Sequence, residues 1–299
     1  MVSKLHILLT YNCSLRCQHC YIYSDQRARG KISPSQISQI LSDGTRIPGI
    51  RWVYFGGGEP FTQYPLLLNS IQRARKMGYD VGVETNGYFA RSIETGIRFL
   101  RPLAEMGVND IRISIDRLHY KNPEKSPAKK AMHAARKLGI PTTEVRISFP
   151  NEQTIEKKSL GEDCSLDEPQ LMFSGRAAES LSAGRQTFPS EHFPECPRND
   201  LASPERLYID AYGFVQICPG LAIGNIHEDT LKQIIDEFHL HKNFIVSVLD
   251  EQGPSGLLQK TNISSDKRFV DACHCCYAAR LALLDNYSEL LGPRQVYGY

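Results

Sequence analysis

Between residues 4 and 149 short apolar runs alternate with amphipathic stretches, and most of the changes are marked by a capping residue, a proline or a glycine. Lys4–Thr10, Arg51–Phe55, Tyr79–Thr85, Asp110–Ile115 and Thr142–Phe149 read as strands, with Gln170–Phe173 as a short sixth. Ser33-Pro34 opens a helical pattern, with Ser33 as N-cap and Pro34 at the first helical position. Pro65–Met77 reads as a helix closed by Gly78, Ser92–Met106 as one broken at Pro102, and Ser126–Leu138 as one ending at Gly139. Strand–helix alternation of this kind builds βαβ units and a parallel sheet. Five or six units fall short of the eight of a closed barrel, so the expected fold is α/β, an open, partial (β/α)6 TIM-like barrel. In such sheets ligands gather at the C-terminal ends of the strands. The unusual residues lie there: a cysteine loop after the first strand, Gly56–Glu59 after the second, Thr85-Asn86-Gly87 after the third, and Ser114 and Asp116 at the fourth.

Composition removes several classes. The chain is 41% hydrophobic and 23% charged over 299 residues, ordinary globular usage rather than disorder. Its 35 Lys+Arg against 33 Asp+Glu leave a net charge of +2, so nothing global points to nucleic acid or an anionic membrane. No apolar run is long enough to span a membrane. The N-terminus lacks the apolar core and cleavage site of a signal peptide, so the expected location is the cytoplasm. The nine cysteines are odd in number and locally clustered. In a reducing cytosol such clusters point to metal rather than to disulfides.

After about residue 178 the composition shifts. Residues 179–205 carry Ser, Gly and Pro breaks and read as a linker. Leu207–Asp210 and Phe214–Ile217 flank Ala211-Tyr212-Gly213 and read as a β-hairpin. Leu231–His239 and Asp271–Leu284 read as helices. The expected organisation is a barrel over 1–178 and a linker plus small C-terminal unit over 179–299.

Cys13-Ser-Leu-Arg-Cys17-Gln-His-Cys20 has the spacing CxxxCxxC. Three thiolates within eight residues can surround one centre. A structural zinc closes with four protein ligands, which here would require His19 or a distant Cys. A [4Fe–4S] cluster has four irons, so three cysteines leave one iron open. Glycines at a strand end, as in Phe55-Gly56-Gly57-Gly58-Glu59-Pro60, let a ligand approach the backbone, and Glu59 can receive a cationic amine.

With these two motifs in order on neighbouring strands, the chain resembles the radical SAM superfamily from strand one to about residue 178. The resemblance implies that Cys13, Cys17 and Cys20 hold a [4Fe–4S] cluster whose fourth iron is chelated by S-adenosylmethionine. It places Gly57, Gly58 and Glu59 along the methionine amine and His19 beside the adenine. Thr85, Asn86, Ser114 and Asp116 fall at ribose and methionine contacts, Arg146 could pair with the methionine carboxylate, and His119 is a candidate substrate contact. The implied chemistry is one-electron reductive cleavage to a 5′-deoxyadenosyl radical that takes a substrate hydrogen atom, with a one-electron donor such as flavodoxin or ferredoxin.

The C-terminal cysteines resemble the SPASM and twitch extensions of such enzymes, and Gly175-Arg176-Ala177 resembles the usual lead-in. A twitch-type unit implies a second, auxiliary [4Fe–4S] cluster on Cys196, Cys218, Cys273 and Cys276. The run Cys273-His-Cys275-Cys276 leaves Cys275 as an alternative to Cys276, and zinc as an alternative metal. Cys164 and Cys275 are then candidate hydrogen-atom donors. The expected activity is oxidation of a small molecule, with the auxiliary cluster accepting an electron. The alternatives are modification of a ribosomal peptide, by epimerisation or crosslinking, and a non-catalytic zinc-binding interaction protein. Strand one begins near residue 4, so no N-terminal peptide-binding domain is expected, which favours the small molecule.

Overall fold

A computed structural model of the chain describes residues 2–149, 170–264 and 266–299. Strands β1 (Lys4–Leu8), β2 (Trp52–Gly56), β3 (Asp80–Thr85), β4 (Asp110–Ser114) and β5 (Thr142–Val145) alternate with helices α1 (Pro34–Gly44), α2 (Tyr64–Lys76), α3 (Ile93–Glu105) and α4 (Pro127–Lys137). Neighbouring strands pair in parallel from β1 through β5. This is the partial TIM-like barrel that the alternation implies. Ser33 caps α1 in a full capping box, its hydroxyl accepting from Gln36 N while the Gln36 side chain accepts from Ser33 N. Ser92 and Ser126 cap α3 and α4 in the same single-sided way.

Side chains alternate across the sheet. Leu5, Ile7, Val53, Phe55, Val81, Val83, Ile111 and Ile113 are wholly buried against the helices. Their neighbours His6, Tyr54, Glu84, Arg112 and Ser114 fall on the opposite face, which is therefore unusually polar. Register brings Ile7, Phe55, Val83 and Ile111 into one row across β1–β4, so the loops after these strands emerge side by side.

The C-terminal half comprises α5 (Arg176–Ser180), β6 (Phe188–Pro189), β7 (Arg206–Ile209), β8 (Phe214–Cys218), β9 (Leu221–Asn225), α6 (Leu231–Glu237), α7 (Phe244–Leu258), β10 (Arg268–Phe269) and α8 (Ala272–Leu283). The expected hairpin is present as β7–β8, and β9 extends it antiparallel. Strand β7 pairs in parallel with β1, so the hairpin continues the barrel sheet in the order β5-β4-β3-β2-β1-β7-β8-β9. A separate two-stranded sheet joins β6 to β10.

Two local expectations change. Among the described residues the Gln170–Phe173 run pairs only through the parallel bridge Ser148–Gln170, so the sixth strand is there a single residue pair. Pro102 does not break α3, which continues to Glu105. Helix α7, not among the helices expected from sequence, runs through Gly253-Pro254. Gly253 leaves helical geometry at φ 63 and the chain resumes beyond the kink.

Candidate active site

The loop after β1 is zipped to the loop after β2 by backbone hydrogen bonds. Leu9 N donates to Gly56 O at 2.9 Å, Gly58 N to Thr10 O at 2.7 Å and Glu59 N to Asn12 O at 2.9 Å. The glycines are required by this approach. A Cβ on Gly57 would lie 2.4 Å from Thr10 O, at a backbone φ of +132°, and one on Gly58 would lie 2.4 Å from Asn12 O. The Gly run therefore presses the cysteine loop against the second strand, and Gly57 and Gly58 also line the cavity above it.

Cys13, Cys17 and Cys20 all line one cavity of about 240 Å³. Backbone amides already serve the sulfurs: Leu15 N lies 3.4 Å from Cys13 Sγ and Ser24 N lies 3.2 Å from Cys20 Sγ. Asn86 Nδ2 adds a third donor at 3.6 Å from Cys13 Sγ. Burial pushes the Cys13 and Cys17 thiols up to about 12, and the neighbouring thiols push the same way. Such ligands ionise when a metal supplies the opposing charge. Arg176, almost wholly buried, clasps the loop from behind, donating to Cys17 O at 2.7 Å and Ser24 O at 3.2 Å. A Cβ on Gly175 would lie 2.7 Å from the Tyr21 backbone, so the Gly175-Arg176-Ala177 turn seats directly on this loop.

His19, Thr85, Asn86, Ser114 and His119 line the same cavity. Two of the expected contacts act from outside it. Glu59 is fully buried and its carboxylate is engaged by Thr85 Oγ1 at 2.8 Å, Asn86 N at 2.7 Å and Phe61 N at 3.1 Å. Burial raises it to about 7 against those three donors. It pins the loop after β3 rather than facing the cavity. Asp116 accepts from Leu118 N at 2.8 Å, Ile147 N at 3.2 Å and His119 Nδ1 at 3.0 Å. It thus fixes His119, whose ring stands edge-on to His19 with centroids 4.5 Å apart. Burial and the adjacent His119 lower His19 to about 3, so it is a neutral imidazole at neutral pH.

Arg146 does not reach the cavity. It is 46% exposed and paired with Glu144 and Glu124, because β5 ends at Val145 and the next side chain turns outward. Cys164 lies outside the described residues.

Cys196, Cys218, Cys273 and Cys276 line a second cavity of about 40 Å³. Hairpin strand β8 delivers Cys218, and the first turn of α8 delivers Cys273 and Cys276. Cys275 points elsewhere, fully buried with Sγ 3.6 Å from Pro254 O, and lines neither cavity. Arg198 and Arg280 line this cavity with the four thiols. Arg198 donates to Gln170 O at 3.3 Å and Leu171 O at 3.0 Å, and Arg280 to Pro219 O at 2.9 Å.

A further cavity, of about 300 Å³, lies between the two cysteine sets. His19, Tyr21 and Ile147 belong to it and to the first site, while Arg198, Asn199 and Cys218 belong to it and to the second. Sequence reasoning missed Tyr21, Tyr208, Arg198 and Arg280. Only the position of Arg280, seven residues after Cys273 and four after Cys276, carried a signal, since that spacing shares one helix face.

The family model for the radical SAM superfamily matches residues 7–161. The chain belongs to the radical SAM superfamily. Among curated relatives, the tungsten-containing aldehyde ferredoxin oxidoreductase cofactor-modifying protein of Pyrococcus furiosus is 31% identical over 116 residues, 38% of this chain and 31% of that protein. The putative peptide biosynthesis protein YydG of Bacillus subtilis is 21% identical over 157 residues, 52% of this chain and 48% of that protein. The chain thus spans about a third to a half of the length of these relatives. Among solved structures, BtrN in complex with AdoMet and 2-DOIA superposes with a TM-score of 0.55 at 14% identity, covering 89% of this chain and 92% of that one. The structure of anSMEcpe with bound AdoMet gives 0.52 at 12% identity, covering 98% of each. At these identities the likeness is one of fold.

Radical SAM enzymes use S-adenosylmethionine and a [4Fe–4S] cluster, and the residues here fit that pair. Three thiols with two backbone amides on their sulfurs open onto one cavity. His19 Nδ1 and Arg176 Nε are buried beside them with no hydrogen-bond partner among the described residues. Among the described residues no set of three or more His, Cys, Asp or Glu converges on a single metal ion. No helix among the described residues is long and apolar enough to cross a membrane.

Proposed function

We propose that this radical SAM enzyme oxidises a C–H bond of a small molecule bound between two iron–sulfur clusters. The observation that carries this reading is the cavity of about 300 Å³ that shares walls with both cysteine sets. That volume is at the lower end for small-molecule sites. When bound, the cluster and S-adenosylmethionine supply a 5′-deoxyadenosyl radical that removes one hydrogen atom, and an auxiliary cluster accepts the second electron.

In this reading Cys13, Cys17 and Cys20 hold the first cluster, and Cys196, Cys218, Cys273 and Cys276 hold the auxiliary one in the 179–299 unit. Gly57 and Gly58 present backbone to the methionine end, with Thr85, Asn86 and Ser114 around it and His19 beside the adenine. Asp116 accepts the Nδ1 proton of His119, which leaves the Nε2 lone pair to take a proton from a substrate hydroxyl or thiol as its carbon is oxidised. Tyr21, Tyr208 and Asn199 would orient the substrate, and residues of both halves exclude water from it. A flavodoxin or ferredoxin supplies the reducing electron. Eight described cysteines carry free thiols, which suits a reducing, cytoplasmic setting.

Peptide modification is the second reading, favoured by likeness to YydG and, at 32% identity over 108 residues, to the mycofactocin maturase MftC of Mycobacterium ulcerans. Cys275 gives it no support as a hydrogen donor, since it faces the α7–α8 interface rather than the cavity.

Anaerobic reconstitution followed by reduction with dithionite tests the proposal. About eight irons per chain, release of 5′-deoxyadenosine, and a product lighter by two hydrogens than its substrate support it. Solvent deuterium at a peptide Cα would favour the second reading. Zinc without iron would overturn both.

A further inference from the structure

Arg280 is 2% exposed, yet it makes no ion pair with a carboxylate among the described residues. Its Nη1 donates to Pro219 O at 2.9 Å, the residue directly after Cys218, and its Nε has no hydrogen-bond partner among the described residues. The ionisable groups it faces are the Tyr297 phenol and the thiols of Cys276, Cys218 and Cys273. Helix α8 explains the convergence, because Cys273, Cys276 and Arg280 share one face at spacings of three, four and seven. The Tyr297 ring lies 5.8 Å from the guanidinium carbon, and its hydroxyl donates to Gly220 O at 2.6 Å.

A guanidinium buried this deeply requires an anionic partner. The loop carbonyl of Pro219 is neutral, so the compensating charge must come from the cavity that the four cysteines line. Arg198 is the other cation there; it donates to the Gln170 and Leu171 carbonyls and also faces Cys273 and Cys218. Among the described residues, Arg280 Nε is the buried guanidinium nitrogen at this cavity that has no hydrogen-bond partner.

We propose that Arg280, through its charge and its free Nε–H, raises the reduction potential of an iron–sulfur cluster held by Cys196, Cys218, Cys273 and Cys276. The inference rests on the reading that these cysteines hold a four-iron cluster. Hydrogen bonds to ligand sulfur and nearby positive charge both favour the reduced form, which carries one more negative charge. Arg280 is in this sense a positioning and tuning residue for electron acceptance, not a ligand.

The test uses the full chain carrying Cys13→Ala, Cys17→Ala and Cys20→Ala, reconstituted with iron and sulfide so that only the C-terminal cluster is read. Its potential is measured by dithionite titration followed by electron paramagnetic resonance. Arg280→Gln should shift the reduction equilibrium about tenfold toward the oxidised form, about 59 mV more negative for one electron. Tyr297→Phe loosens the same loop without removing charge and should leave the potential where it is. Four irons per chain with an unmoved potential in Arg280→Gln would overturn the proposal alone. Should Arg280→Gln fail to hold iron, Arg280→Lys keeps the charge but loses the fork; a shift of about threefold in the same direction is expected, and no shift overturns the proposal. A parent that binds no iron overturns the cluster reading and the proposal with it.

Discussion

The Tyr11 hydroxyl donates to Asp210 Oδ2 at 2.8 Å, joining two residues 199 positions apart. Tyr11 follows β1 and immediately precedes the cysteine loop, while Asp210 directly follows β7. Gln216 Nε2 at 2.8 Å, Tyr212 N at 2.8 Å and Phe214 N at 3.1 Å also converge on this carboxylate. One fully buried acid therefore ties the cysteine loop to the hairpin that carries Cys218.

Asp210→Asn turns a donor toward Gln216 and should destabilise the chain by about 1–3 kcal/mol in urea unfolding. Burial holds the Asp210 carboxyl up at about 6, above the ~3.9 of an unfolded Asp. Its contribution to stability is whole below about pH 4 and is lost as pH rises through about 6. The variant should lack that component of the pH profile, and an identical profile in both proteins would refute the assignment.

Gly57→Ala forces a Cβ against Thr10 O at a positive φ. The expected cost is about 3 kcal/mol. Because the same contact seats the cysteine loop, iron uptake at the first site should fall with stability. A variant of wild-type stability that loads fully would show that the two loops are not held as described.

Cys276→Ser and Cys275→Ser should part company. Cys276 lines the second cavity and Cys275 does not. Reconstituted Cys275→Ser should keep the iron content of the parent, whereas Cys276→Ser should lose up to about four irons, one cluster's worth. The reverse pattern would exchange their roles.

The His19–His119 ring pair should be visible in affinity for S-adenosylmethionine. A ring pair is worth about 1 kcal/mol, so His119→Ala should weaken binding about fivefold by calorimetry on the reconstituted enzyme. Combining it with His19→Ala should cost less than the sum of the two single changes, since both remove one interaction. Full additivity would mean that the rings act separately.

Strands β1 to β4 were legible because Val, Ile and Phe alternate there with turn residues, and the helices because serines and prolines mark their starts. Helix α7 was not, since Gly253-Pro254 reads as a stop and only packing shows that the chain resumes its helix beyond the kink. The cysteine triad and the Gly run stand out by spacing alone. What spacing could not give was direction: Glu59 turns to the loop after β3, Asp116 to His119, and Arg146 to surface carboxylates. Likewise nothing in Cys275-Cys276 tells which thiol faces the cavity, because adjacent helical residues differ by about 100° in heading and only the packed partner helix chooses between them.

Strand β1 has β2 on one side and β7 on the other. A fragment ending near residue 178 would strip β7 away and leave the backbone donors and acceptors of Lys4–Ile7 without partners along a row that includes Leu5 and Ile7. A bare apolar edge of this kind invites another chain to pair with it. Attempts to isolate the barrel by truncation are therefore expected to yield insoluble protein, even though every residue of the CxxxCxxC motif would be retained.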